Sequence, residues 1–157
     1  MSLLAYESPL GIVTVLGEDN AIISLSFAEK GSVPPSTGET DPLLARCARE
    51  LDRYFSGTLT AFTVPLSPRG TPFQRDVWEA LRAIPYGQTA SYGEVARAIG
   101  KPGAARAVGM ACNRNPIAIL IPCHRVVGAS GDLTGYSGGL EKKRFLLELE
   151  RRQLHLL

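Results

Sequence analysis

The chain has 157 residues, 45% of them hydrophobic and 20% charged, a globular balance that excludes a disordered chain and, at this length, more than two small domains. The net charge of +2 is unevenly spread: residues 1–70 hold 5 Lys/Arg against 8 Asp/Glu, net −3, and residues 71–157 hold 12 against 7, net +5. A basic half of this kind suits a nucleic-acid partner, or is simply a solvated surface.

Residues 1–70 read as a small α/β unit. The β-branched runs 12–16 and 21–27, separated by the turn formers Gly17, Glu18, Asp19 and Asn20, predict an antiparallel hairpin. Residues 31–40, rich in Gly, Pro, Ser and Thr, predict a loop. Asp41-Pro42 is an N-cap with proline at the first helical position, and Leu44, Cys47, Ala48, Leu51 and Tyr54 follow at helical spacing until Gly57. Cys47 lies on that apolar stripe and reads as a small buried side chain. Phe62 and Val64 alternate as a short third strand would, and residues 65–70 read as a linker.

Residues 71–157 are mostly helical. Thr71-Pro72-Phe73-Gln74 is a capping box that leads Phe73, Val77, Leu81 and Ile84 onto one helical face, and Ser91-Tyr92-Gly93-Glu94 is a second box opening a short helix to Gly100. After the break Lys101-Pro102-Gly103, residues 104–113 form a third helix rich in small side chains. Two short helices across a tight turn make either a helix-turn-helix or a generic αα-corner. The continuous apolar run 117–121 predicts a buried strand that stops at Pro122, just before Cys123-His124-Arg125. Val126-Val127 reads as a short strand, residues 128–139 as a glycine-rich loop, and about 140–154 as a helix with Phe145, Leu146 and Leu149 facing inward. Arg144/Glu148 and Glu148/Arg152 form i,i+4 pairs on its outer side.

No run approaches the ~20 apolar residues that span a bilayer, and the start lacks a basic region followed by an apolar one, so a soluble cytoplasmic protein with no membrane contact is expected. Three cysteines, Cys47, Cys112 and Cys123, form no disulfide framework and point to free thiols in a reducing compartment. Two histidines, His124 and His155, and the lack of a C-x-x-C pair leave a structural zinc site short of ligands, so no metal is expected. A cysteine held between Pro122 and His124 at the end of a buried segment is positioned rigidly, as a nucleophile must be. The thiolate is the reactive form, and an imidazole or guanidinium beside it can remove its proton or stabilise its charge. Neighbours in extended chain point to opposite faces, so His124 needs a turn or a bridging water to reach the sulfur.

The segment Asn115-Pro116-Ile117-Ala118-Ile119-Leu120-Ile121-Pro122-Cys123-His124-Arg125-Val126-Val127 resembles the active-site segment of the O6-alkylguanine-DNA alkyltransferases, the methylated-DNA–protein-cysteine methyltransferases. The resemblance continues in that family's order through Ser91-Tyr92-Gly93-Glu94-Val95-Ala96, Ala104-Ala105-Arg106-Ala107-Val108-Gly109 and Gly135-Tyr136-Ser137-Gly138-Gly139-Leu140, covering essentially all of 71–157. It implies an α/β fold in which a small N-terminal ribonuclease H-like domain, 1–70, precedes a mainly helical winged helix-turn-helix domain, 71–157. Direct-reversal DNA repair is the implied function: irreversible single-turnover transfer of an alkyl group from O6-alkylguanine, and also O4-alkylthymine, to Cys123.

In the roles the resemblance implies, His124 serves as base through a water and Glu150 orients it, with Glu148 one register away. Asn115 braces the turn before the nucleophile. Tyr92 donates a proton or hydrogen bond to the departing base, or is a first-turn aromatic that only packs. Tyr136, Ser137 and Val126 line the base pocket. Arg106 replaces a flipped nucleotide in the stack, since a buried nucleophile cannot reach a base inside a duplex. Ala105, Ser91, Gly109 and Arg125 lie at the DNA, approached from the minor groove. The thioether product has no acyl carbon for water to attack, so each molecule acts once, and the chemistry requires no cofactor. The implied partner is double-stranded DNA carrying O6-alkylguanine, met by a monomer, with cooperative assembly on DNA left open.

Two other readings compete. A cysteine hydrolase or amidotransferase using Cys123 and His124 needs an oxyanion hole, and no glycine-flanked nucleophile elbow is present. A winged-helix protein that binds lesions without repairing them is the other, and the presence of Cys123 argues against it.

Overall fold

The computed structural model describes residues 1–29, 41–136 and 138–156, and its first unit, Met1–Arg69, carries an antiparallel sheet in the order β1 (Ser2–Ser8), β2 (Gly11–Glu18), β3 (Ala21–Phe27). Asp19 and Asn20 sit at φ of 51° and 60°, the left-handed pair that a type I′ hairpin turn between β2 and β3 requires. β2 alternates, turning Val13, Val15 and Gly17 inward. The sequence reading missed β1, whose residues are half-buried almost throughout and carry no alternation. Helix α1 (Pro42–Phe55), capped by Asp41, lays Leu43, Leu44, Cys47, Leu51 and Tyr54 on the sheet. A Cβ on Gly17 would stand 3.3 Å from Leu43 and Leu44, so the glycine sets how closely α1 approaches.

The strand expected at Phe62 and Val64 does not form. The buried Glu50 carboxylate takes the backbone N–H of Thr63 at 2.9 Å and of Val64 at 3.3 Å, and Pro65 has no N–H to give. Only one bridge, Ile22 to Leu66, joins this stretch to the sheet among the described residues. The predicted loop at 31–40 lies outside the described residues.

The second unit, Gly70–Leu157, is mostly helical. Both expected capping boxes form, Thr71 with Gln74 at the start of α2 (Pro72–Arg82) and Ser91 with Glu94 at the start of α3 (Tyr92–Ala98). Gly100, at φ 76°, ends α3 before α4 (Ala105–Asn113). The Trp78 indole on α2 donates to the Ala111 carbonyl on α4 at 2.9 Å, locking those helices together inside the core. β4 (Ala90–Ser91) pairs in parallel with β5 (Val126–Val127).

Two expectations fail in this unit. Residues 117–121 are buried but form consecutive turns rather than a strand: Ile119 is left-handed at φ 72°, Leu120 N–H bonds Ala118 at 2.8 Å and Ile121 N–H bonds Ile117 at 3.0 Å. A continuous apolar run reports burial and leaves the backbone path undetermined. In α5 (Leu140–Leu156), Leu146 and Leu149 are buried as expected but Phe145 is 37% exposed, and the inward stripe runs through Lys143, Leu146, Leu147 and Glu150. That stripe has the i, i+3, i+4, i+7 spacing of a helix face, with a charge at each end.

Candidate active site

Asn115, just past α4, begins the site. Its amide oxygen accepts the Ile117 N–H at 2.9 Å, and its Nδ2 donates to the Ile121 carbonyl at 2.9 Å and to Cys123 Sγ at 3.2 Å. One side chain therefore closes the turn and touches the thiol. Cys123 opens a single 3₁₀ turn, Cys123–Arg125, in which all three residues are buried. Burial pushes the thiol pKa up, opposed by the Asn115 hydrogen bond and the Lys143 charge. The resting group is thus a thiol, and attack requires a base.

His124 is wholly buried, and its Nε2 lies 2.7 Å from Glu150 Oε2. An ionised carboxylate only accepts hydrogen bonds, so Nε2 carries the proton and Nδ1 presents its lone pair. Nδ1 is buried with no hydrogen-bond partner among the described residues. Burial lowers the His124 pKa more than Glu150 raises it, which leaves the imidazole neutral and competent as a base. Burial alone would favour a protonated Glu150, but hydrogen bonds from His124 and Arg125 outweigh it and hold the carboxyl down to about 2. Glu150, rather than the exposed Glu148, faces inward.

Arg125, expected at the DNA, is turned into the interior: its side chain is 10% exposed, its Nε donates to Glu150 Oε1 at 2.8 Å, and its other nitrogens reach Glu150 Oε2 at 3.1 Å and the Ile84 carbonyl at 2.8 Å. A buried guanidinium beside a carboxylate spends its donors inside the protein. The Gly87 N–H also donates to Glu150 Oε1, at 3.2 Å.

The Tyr92 ring lies along α4, where a Cβ on Gly109 would stand 3.7 Å from it, and its hydroxyl is 2.6 Å from Thr134 Oγ1. Burial raises the Tyr92 pKa and the Thr134 hydrogen bond lowers it. Tyr136 is half-buried with its hydroxyl oxygen inaccessible, and burial, then the Cys123 and Glu150 charges, push its pKa well up. Val126 is fully buried in β5, opposite Ala90. Ser137 lies outside the described residues. At the helix-turn-helix, Arg106 is exposed in the first turn of α4, Ala105 and Gly109 are half-buried on the same helix, and the Ser91 hydroxyl is engaged in capping α3.

Sequence reasoning missed Lys143 and Thr134. Lys143 is buried, and its Nζ donates to the carbonyls of Thr134 at 2.8 Å and Gly135 at 3.4 Å. Burial lowers its pKa, against the raising effect of Cys123 and Cys112. Its one signal was a place on the Leu146, Leu147, Glu150 stripe. Among the described residues, no three His, Cys, Asp or Glu side chains are grouped to hold a metal ion, and no helix is long and apolar enough to cross a membrane.

Residues 4–68 match the model of the 6-O-methylguanine DNA methyltransferase, ribonuclease-like domain, and residues 72–152 that of the 6-O-methylguanine DNA methyltransferase, DNA binding domain. A methylated-DNA–protein-cysteine methyltransferase of Mycolicibacterium paratuberculosis is 53% identical over 148 residues, covering 93% of this chain and 90% of that one. That of Methanosarcina acetivorans is 50% identical over 148 residues, covering 92% and 95%. Among solved structures, Mycobacterium tuberculosis OGT in complex with DNA superposes with a TM-score of 0.87 at 50% identity, covering 95% of this chain and 92% of that one.

Proposed function

Since the chain belongs to the 6-O-methylguanine DNA methyltransferase family, we propose that Cys123 receives the alkyl group of O6-alkylguanine in DNA, in one irreversible turnover. DNA alkyl-transfer repair is its activity, and a ribonuclease-like domain followed by a helix-turn-helix DNA-binding domain is its fold. The observation that carries the reading is the buried Cys123-His124 pair: Glu150 fixes His124 with Nδ1 left as acceptor, and the residue next to it in the chain is a buried thiol that must lose its proton. His124 takes that proton through a bridging water, and the sulfur attacks the alkyl carbon in line, displacing guanine. Direct displacement calls on no cofactor. The N-terminal domain spans residues 1–70 and the DNA-binding and active-site domain residues 71–157.

Tyr92 supplies a proton or hydrogen bond to the departing base, and Asn115 holds the turn and the sulfur. Tyr136, Val126 and Ser137 form the base pocket. Arg106 enters the base stack behind the flipped nucleotide while Ala105, Gly109 and Ser91 approach the backbone. O4-alkylthymine is a further substrate, the protein acts as a monomer, and its compartment is the cytoplasm. A thioether cannot be hydrolysed, so repair of excess duplex carrying O6-methylguanine, read by recovery of a methylation-sensitive restriction site, should stop at one equivalent per protein. Repair continuing past one equivalent overturns the reading.

A further inference from the structure

Thr134 is held from two sides. Its carbonyl accepts the buried ammonium of Lys143 from α5 at 2.8 Å, and its hydroxyl meets the Tyr92 hydroxyl of α3 at 2.6 Å. Its methyl faces Gly128, where a built Cβ would stand 3.4 Å away, so the loop closes tightly around it. Burying a lysine is costly unless it is hydrogen-bonded, and here its bonds go to Thr134 and Gly135. That arrangement fixes the loop where the threonine hydroxyl reaches Tyr92.

We propose that Thr134 is a positioning residue for alkyl transfer: its hydroxyl donates to Tyr92 Oη, leaving the tyrosine's own proton directed at the departing guanine. If Tyr92 instead donated to Thr134, its proton would be spent within the protein. Burial leaves the Tyr92 pKa raised, and the Thr134 bond opposes that rise. In the step itself the Cys123 sulfur bonds the methyl carbon as the carbon–O6 bond breaks. The electron pair leaves with guanine, which takes the Tyr92 proton, and the Thr134 hydroxyl stabilises the tyrosinate until water reprotonates it. The thiol's proton, held on His124, returns to water, so the exchange balances.

The inference rests on Cys123 as alkyl acceptor and Tyr92 as donor, and two methyl donors separate its failure from theirs. O6-methylguanine in duplex DNA has a leaving group that needs a proton, whereas methyl iodide leaves as iodide and needs none. Single-turnover rates of Cys123 methylation, read by peptide mass spectrometry, are compared for wild type, Thr134→Val, Thr134→Ser, Tyr92→Phe and Tyr92→Phe/Thr134→Val. Thr134→Val keeps the shape and the Lys143 bond to the main chain. It should be slower by about 3- to 10-fold on the DNA and unchanged on methyl iodide, Thr134→Ser should restore the rate, and Thr134→Val should add nothing once Tyr92 is Phe. Equal slowing on both donors, no slowing on either, or no rescue by serine overturns the inference. Wild type that takes methyl from methyl iodide but not from DNA overturns the functional reading beneath it, and the inference with it.

Discussion

Arg125→Met deletes a guanidinium that bonds Glu150 twice and the Ile84 carbonyl once, all in the interior. Methionine fills much of the vacated space, so the loss is electrostatic more than a cavity. Holding the Glu150 carboxyl at about 2 instead of its ordinary 4.5, which His124 and then Arg125 do jointly, corresponds to about 3 kcal/mol shared between them, and removing one member of a buried ion pair costs about 3–5 kcal/mol. For a chain of this size the unfolding midpoint should fall by roughly 6–20 °C. Thermal and urea denaturation of Arg125→Met, Glu150→Gln and the double variant, all in the full chain, measure it. The double variant should lose less than the two single losses combined, by about 2 kcal/mol. Strict additivity, or an Arg125→Met protein as stable as wild type, refutes the internal role of this arginine. The folded Glu150 carboxyl titrates below its unfolded value, so its contribution is complete above about pH 4.5 and disappears as pH falls toward 2. Glu150→Gln should flatten that acid limb.

Asn115→Ala removes three hydrogen bonds and should cost about 2–4 kcal/mol and slow methyl transfer to Cys123. Denaturation and quenched-flow rates check it, and an unchanged rate would contradict the bracing role. Gly87→Ala forces a side chain onto a residue at φ 78°, 2.8 Å from Leu154, and should destabilise by about 1–2 kcal/mol in urea titrations. Arg106→Ala should weaken repair of duplex DNA while sparing reaction with free O6-methylguanine base, and equal losses on both would refute the flipping role.

Local rules carried the reading wherever one residue type met one local need. Both capping boxes, the Asp41 cap and the Asp19-Asn20 turn formed as read, because each depends on neighbours a few positions away. The motif around Cys123 singled out its neighbours: Asn115 reaches the Cys123 sulfur, and Glu150 holds the His124 imidazole. Hidden were features decided by burial at long range. Residues 117–121 look like a strand because they are apolar, yet Ile119 turns left-handed to deliver Cys123 to Asn115. The resemblance places Arg125 at the DNA and nothing in the sequence pattern singles out Lys143, whereas their hydrogen bonds run inward to Glu150 and Thr134. β1 lacks alternation, so its pairing with β2 left no trace in the pattern.

Mixing the protein with duplex DNA carrying a single O6-methylguanine, followed by intact-protein and peptide mass spectrometry, tests the central claim most directly. One methyl group per chain should appear on the Cys123 peptide, persist on prolonged incubation, and be absent from Cys123→Ser. Loss of O6-methylguanine from the DNA with the protein left unmodified would contradict it.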